Sequence, residues 1–331
     1  MIYASNFLPP DSVLKHYAFA LAQEDYDHAR EAIAPLRSRN NLIRWSEDWA
    51  DLLEASILMF EQTDYNDTSG LALYISLQNK SEKAFLEHLS LAEGKEDSVA
   101  ALFALGTLEG FEATRLDQIS RTFKAFKEAR HSTKHLRQAY KLDTTLIDAA
   151  LGFSLYDYWT SRILRPLHWT PLSGNRCPEA LARIEMVAHK GIYARYLASA
   201  YLAWIWVEED EYELAISVAD SQLTSLGEVR SFLEPCAKAY FLMERWKEAR
   251  NRYERLTAAI RNAPKRNLVR EVGALHRLAI IAAEQEDWKA VIEYANLALT
   301  LPLSEKQFHR KKADIKRLRK YRKIALERKC P

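Results

Sequence analysis

Glu128, His131 and His135 recur at i, i+3 and i+7, which puts a carboxylate and two imidazoles on one helical face. Two His four apart with a carboxylate beside them can hold a divalent ion. Arg130, Lys134 and Arg137 crowd the same turns and would repel a cation, so a solvated helix face is expected and no metal is assigned. The acidic run Glu208-Glu209-Asp210-Glu211-Tyr212-Glu213 lacks the alternating ligand spacing of a calcium loop and reads as an exposed polar turn. Cys177, Cys236 and Cys330 are odd in number, far apart and free of any CxxC spacing, which argues against a disulfide framework or zinc site. Cys236 fits a small buried hydrophobe. Cys330, beside basic residues, is a candidate low-pKa thiol with no resolving partner nearby. There is no phosphate loop, GxSxG elbow, HExxH or dinucleotide fingerprint, and nine glycines leave little room for a phosphate-cradling turn. No catalytic residue and no cofactor is assigned, and an enzyme is not expected.

The elements that carry these residues are helices. Of 331 residues, 48% are hydrophobic and 28% charged, so a core is available and global disorder is not expected. Nine Gly and ten Pro are too few for the tight turns of a sheet-rich fold. Periodicity and turn signals give helical pairs over 11–22 and 27–36, 45–60 and 71–91, and 98–111 with a long partner ending near Leu142. A fourth pair, from Leu146 and from Pro178 to Lys190, is interrupted over 161–177 by Pro166, Trp169, Pro171 and Gly174. Asp11 and Ser12 offer N-cap side chains to the first helix, and Gly191 fits a C-cap.

From Tyr193 to Pro302 one hairpin pattern is written three times. Tyr212-Glu-Leu-Ala215, Trp246-Lys-Glu-Ala249 and Asp287-Trp288-Lys-Ala290 each open a second helix after a polar turn, with 34 residues between Tyr212 and Trp246. Aligned on those aromatics, Leu202-Ala203, Cys236-Ala237 and Leu278-Ala279 share one position, and Ala215, Ala249 and Val291 another. Small residues recur there because the helices of a hairpin cross closely. Residues 261–268 absorb the eight extra residues before Trp288. On these residues the chain resembles the tetratricopeptide repeat (TPR), well over 193–302, moderately over 98–190 and weakly before 95. Ala203, Ala237 and Ala279 stand where that family usually has Gly, and Val291 where it has Ala. The middle is similar to a broad group of uncharacterised bacterial repeat proteins, through Leu105-Gly106 with Gly110-Phe111, Leu151-Gly152 with Tyr156 and Tyr158, Gly174-Asn-Arg176, and Lys190-Gly191 with Tyr193. The resemblance implies an all-α, right-handed TPR-like superhelix, a solenoid of about seven hairpins with a C-terminal capping helix. Four segments are expected: degenerate hairpins over 1–95, TPR-like hairpins over 96–192 with the 161–177 insertion, clearer repeats over 193–302, and a basic capping helix over 303–331.

In TPR scaffolds the first helix of each hairpin lines the concave surface. Carried over by position, that places Phe153, Tyr156, Trp204, Glu208, Lys238, Phe241 and His276 in a partner-binding groove, an aromatic floor with scattered charges suited to a peptide or amphipathic helix. The family's basic pairs for a C-terminal carboxylate are not reproduced as a set. Trp159 and Trp169 flank the insertion, either as a lip of the groove or as cover for an apolar stripe. Trp246 and Trp288 read as packing residues. From Glu305 onward twelve Lys and Arg face three Asp and Glu, a formal +9, while the rest of the chain carries −7. Arg310, Lys311, Lys312, Lys316, Arg317, Arg319 and Lys320 lie in this tail, where Ile315, Leu318, Tyr321 and Ile324 recur at helical spacing. It is expected to cap the solenoid, with binding of nucleic acid or an anionic membrane surface as the alternative. The expected function is therefore a non-enzymatic scaffold for a protein or peptide partner. Met1–Pro10 has no signal-peptide pattern and Tyr196–Val207 is too short to span a bilayer, so a cytoplasmic protein is expected, or a periplasmic or secreted one if a leader has been removed.

Overall fold

The computed structural model describes residues 7–38, 43–164 and 175–329. Among these the chain is all-helical: fifteen α-helices, two short 3-10 turns and no strand. In order they are α1 (Asp11–Ala22), α2 (Tyr26–Ile33), α3 (Ser46–Tyr65), α4 (Leu71–Ser90), α5 (Lys95–Gln118), α6 (Thr122–Leu142), α7 (Ala150–Ile163) and α8 (Cys177–Lys190). There follow α9 (Arg195–Glu208), α10 (Tyr212–Leu226), α11 (Arg230–Leu242), α12 (Trp246–Asn262), α13 (Leu268–Glu284), α14 (Trp288–Leu299) and α15 (Glu305–Lys329). Helices pack on their neighbours in sequence, an arrangement compatible with an α-solenoid. Two compact units result, one of residues 1–63 with 67–199, the other of 64–66 with 200–331.

One turn geometry recurs in five hairpins. Glu24, Ser120, Asp210, Glu244 and Glu286 all have φ between 55° and 61°, and each stands two residues before a second helix. The next residue donates its N–H to the carbonyl five residues back: Asp25 to Ala20, Arg121 to Leu116, Glu211 to Trp206, Arg245 to Tyr240 and Asp287 to Ala282, at 2.8–3.0 Å. This bond closes the end of the first helix as a Schellman turn does. None of the five left-handed residues is glycine, so each costs about 1 kcal/mol of backbone strain that the packing of the hairpin must offset.

In the second unit the small residues sit where two helices meet. Ala203, Ala237, Ala279, Ala215, Ala249 and Val291 are all fully buried. In the first unit glycine does the same work. A Cβ on Gly106 would lie 2.5 Å from Leu136 Cγ, and one on Gly152 would lie 2.4 Å from Leu136 Cδ1. Leu136 of α6 is thus seated in a notch cut by one glycine of α5 and one of α7. Ser132, one turn earlier, donates to the Gly106 carbonyl at 2.6 Å. The α15 helix packs on α13 and α14 through buried Ile315, Leu318 and Ala325, which is the geometry of a cap.

Several expected boundaries move. The N-cap of α1 is Pro10, with no side-chain bond from Asp11 or Ser12. The α3 and α5 helices run past 60 and 111, and α7 continues to Ile163, so the interruption is shorter than 161–177. Gly191 closes α8 but with φ −64°, not a left-handed one. It is needed because a Cβ there would lie 2.6 Å from the Val187 carbonyl oxygen and 2.8 Å from Asp148 Oδ1. No helix among the described residues is long and apolar enough to cross a membrane.

Candidate functional site

The second unit presents a mixed aromatic and cationic surface. Phe241, near the end of α11, is half-buried against Trp246 (5.5 Å between centroids, edge-on) and Tyr253. Lys238 Nζ lies 5.8 Å and the Arg277 guanidinium 4.8 Å from the Phe241 ring. Neither cation forms an ion pair among the described residues. Burial and the neighbouring Arg277 hold the Lys238 amine below the usual lysine range, partly offset by Glu208. Two cations lie against one ring, Arg277 disfavours the charged form of Lys238, and an acidic group arriving there would be drawn to both. Trp204 is half-buried and Glu208 exposed. Arg277 carries no repeat signal and was missed in the sequence; its place one residue after His276 on α13 is the only hint.

His276 does not line an open surface. It is 2% exposed, with Nδ1 3.4 Å from Asp314 of α15, and its Nε2 is buried without a hydrogen-bond partner. The α15 helix covers the position that the repeat pattern assigns to the groove. Burial, with Arg277, Arg317 and Lys311 nearby, pushes the imidazole below its ordinary 6.5, against the pull of Asp314. On acidification the unfolded chain takes the proton first, so the stability this residue confers is full above pH 6.5 and is lost as pH falls toward the folded-state value. Lowering the pH from 7 to 5 should therefore reduce the urea midpoint less in His276→Gln than in the unmodified chain; equal reductions would remove His276 from the account.

The first unit carries two further groups of the expected groove residues. Tyr156 of α7 is half-buried against Phe126 of α6 at 5.6 Å. Around them the start of α6 exposes apolar side chains, with Phe123 85% exposed. Phe153 is 5% exposed and is sealed rather than offered: Arg137 and Arg183 lie over its ring at 5.3 and 5.5 Å. Those arginines belong to a cluster around buried Asp157. Arg137 Nη2 donates to Oδ1, Arg183 Nη2 to Oδ2 at 3.1 Å, and Arg176 Nη1 stands 3.6 Å from Oδ1. Arg183 Nε also donates to Ser154 Oγ at 3.0 Å. The residues lie on three helices with no common sequence spacing, so sequence reasoning had no means of joining them.

Other sequence candidates part company. His135 binds Glu109 of α5 through Nδ1 at 2.8 Å. No group of three or more His, Cys, Asp or Glu among the described residues is placed to hold a metal ion. Burial and the carboxylates of Glu109, Glu128 and Glu112 raise Glu82 above the usual range, while His131 lowers it. The run from Glu208 to Glu213 is a hairpin turn, with Tyr212 donating to Asp210 at 2.6 Å and Glu213 paired with Arg245 at 3.2 Å. Cys236 is fully buried, and burial pushes its thiol up to about 12. Trp159 is partly exposed with Arg162 5.6 Å from its ring. Trp169 and Cys330 lie outside the described residues.

On α15 several basic side chains are already engaged. Arg310 donates to Asn66, Lys311 to Asp314 and Arg322 to Asn296, while Arg328 lies over Trp288. Lys312, Lys316, Arg317, Arg319 and Lys320 remain exposed. In comparisons with known proteins, no family model matches the chain and no curated protein sequence matches it.

Proposed function

We propose that the protein is a non-enzymatic scaffold built from TPR-type hairpins, binding an extended peptide or protein segment with acidic residues among apolar ones. The observation that carries this reading is the Phe241 ring shared by Lys238 and Arg277. A half-buried aromatic with two cations that lack carboxylate partners favours an apolar side chain followed by an acid. Trp204 supplies a second apolar contact on the same unit, and Glu208 biases register against a second acid beside Lys238.

The test is selection from a displayed peptide library on the full chain, followed by affinity measurement on Trp204→Ala and on Lys238→Glu with Arg277→Glu. Selected peptides should be rich in Asp and Glu next to Leu, Ile or Phe. Each variant should bind them at least about tenfold more weakly, roughly 1.4 kcal/mol, with helicity unchanged. Peptides that bind all forms alike would remove this surface from the function. Binding through the basic helix α15 is the second reading, favoured by the exposed Lys312, Lys316, Arg317, Arg319 and Lys320. It predicts an affinity for anionic polymers that falls steeply with salt.

A further inference from the structure

We propose that Arg137, Arg176 and Arg183 of the first unit form a binding site for a phosphate dianion, either free or carried by a small organic molecule. Among the other buried carboxylates, Asp97 and Asp148 accept backbone N–H groups and Glu109 binds His135, whereas Asp51 and Glu271 are held by cations. Asp51 is braced by Arg37 and Lys80, and Glu271 by Arg261 and Arg266. In each, two cations surround one carboxylate. Asp157 gathers three. Two of them, Arg137 and Arg183, already satisfy its two oxygens, so Arg176 contributes little to holding the helices together.

The surplus charge is not absorbed elsewhere in the cluster. The other carboxylate there is Glu179, 4.0 Å from Arg183 Nη1 and 76% exposed, so its hold is weakened by solvent. Counting it, the cluster keeps a charge of +1; with Glu179 turned outward it keeps +2. Among the described residues, Arg137 Nε is buried without a hydrogen-bond partner. A buried guanidinium N–H without an acceptor is costly, and an incoming oxyanion supplies one.

The donors are also held in place before any ligand arrives. Arg137 and Arg183 lie over the buried Phe153 ring, and Arg183 Nε is fixed by Ser154. Rotamer freedom that would otherwise oppose binding is already spent in folding. Arg176, at the N-cap of α8, has a 63% exposed side chain and is the donor through which a ligand reaches the cluster from solvent. Planar guanidinium forks match tetrahedral oxyanions in pairs of N–H···O bonds, and a dianion cancels the surplus that a single carboxylate would leave half neutralised.

The experiment is calorimetric titration of the full chain with inorganic phosphate and with phenyl phosphate, against sodium chloride at matched ionic strength, for the unmodified chain and Arg176→Gln. Expected are saturable one-site binding, a raised unfolding midpoint, and at least a tenfold loss in Arg176→Gln, whose unliganded midpoint stays close to that of the parent. Affinity for phenyl phosphate should fall as the pH drops through about 6, where a phosphomonoester loses its second charge. Tighter binding of inorganic phosphate identifies the free ion as the ligand, and tighter binding of phenyl phosphate a phosphomonoester. Binding no stronger than that of chloride, or unchanged in Arg176→Gln, would overturn the site.

Discussion

Replacing Asp148 by Ala should cost the first unit about 3 kcal/mol of unfolding free energy, with Asp148→Asn costing clearly less. The Asp148 carboxylate accepts the backbone N–H groups of Ile192, Tyr193 and Ala194, the last at 2.7 Å. It therefore satisfies the donors that precede α9 from 45 residues away in sequence. In the Ala variant three N–H groups lose their acceptor, and Ala194 is buried too deeply for water to replace it. Asn keeps one carbonyl oxygen and hence part of the set. An opposing effect limits the loss, because burial pushes the Asp148 carboxyl above the usual range despite these donors. Some of the free energy gained by capping is thus already spent on desolvating the charge. Urea unfolding of the three forms measures the balance. A cost below about 1 kcal/mol for Asp148→Ala would mean that the three N–H groups find other acceptors.

The same neighbourhood shows why the sequence was readable in some places and silent in others. Helical pairs and small-residue positions in 200–299 follow from periodicity, which burial enforces locally: Ala203, Ala237 and Ala279 are small because a facing helix leaves no room. The turns were partly hidden, since none of the left-handed positions Glu24, Ser120, Asp210, Glu244 and Glu286 carries the glycine that marks such a turn. An aromatic opens the second helix at Tyr26, Tyr212, Trp246 and Trp288, but Thr122 leaves the hairpin at 116–122 without that mark. Long-range contacts left no mark at all. Nothing near Asp148 announces that it serves residues 192–194, and nothing joins Arg137, Asp157 and Arg183 before the three helices pack. The transfer of groove positions by repeat register worked from first helices alone. It could not see that α15 would cover His276 or that two arginines would seal Phe153.

Leu136 should be the most sensitive side chain of the first unit, and its glycine neighbours the most intolerant of growth. Leu136→Ala removes a 4% exposed side chain from a notch made by backbone and should cost about 3–4 kcal/mol. Gly106→Ala sets two effects against each other. Helix propensity favours Ala by about 1 kcal/mol, whereas a Cβ placed 2.5 Å from Leu136 Cγ and 3.1 Å from its backbone nitrogen forces α5 and α6 apart. The contact with the leucine side chain decides the sign, since Leu136 is also confined by Gly152 on its other side and has little room to rotate away, so a net loss of about 1–2 kcal/mol is expected. The pair must then couple. In Gly106→Ala with Leu136→Ala the new methyl enters space the leucine has vacated, and the double variant should be more stable than the sum of single losses by about 1 kcal/mol or more. Strict additivity in urea unfolding would show that the notch is loose. Because Arg137 follows Leu136 directly, forcing α6 off α5 also moves the guanidinium that grips Asp157. Gly106→Ala should therefore weaken phosphate binding without touching any residue of that cluster, and the double variant should recover part of the affinity along with the stability.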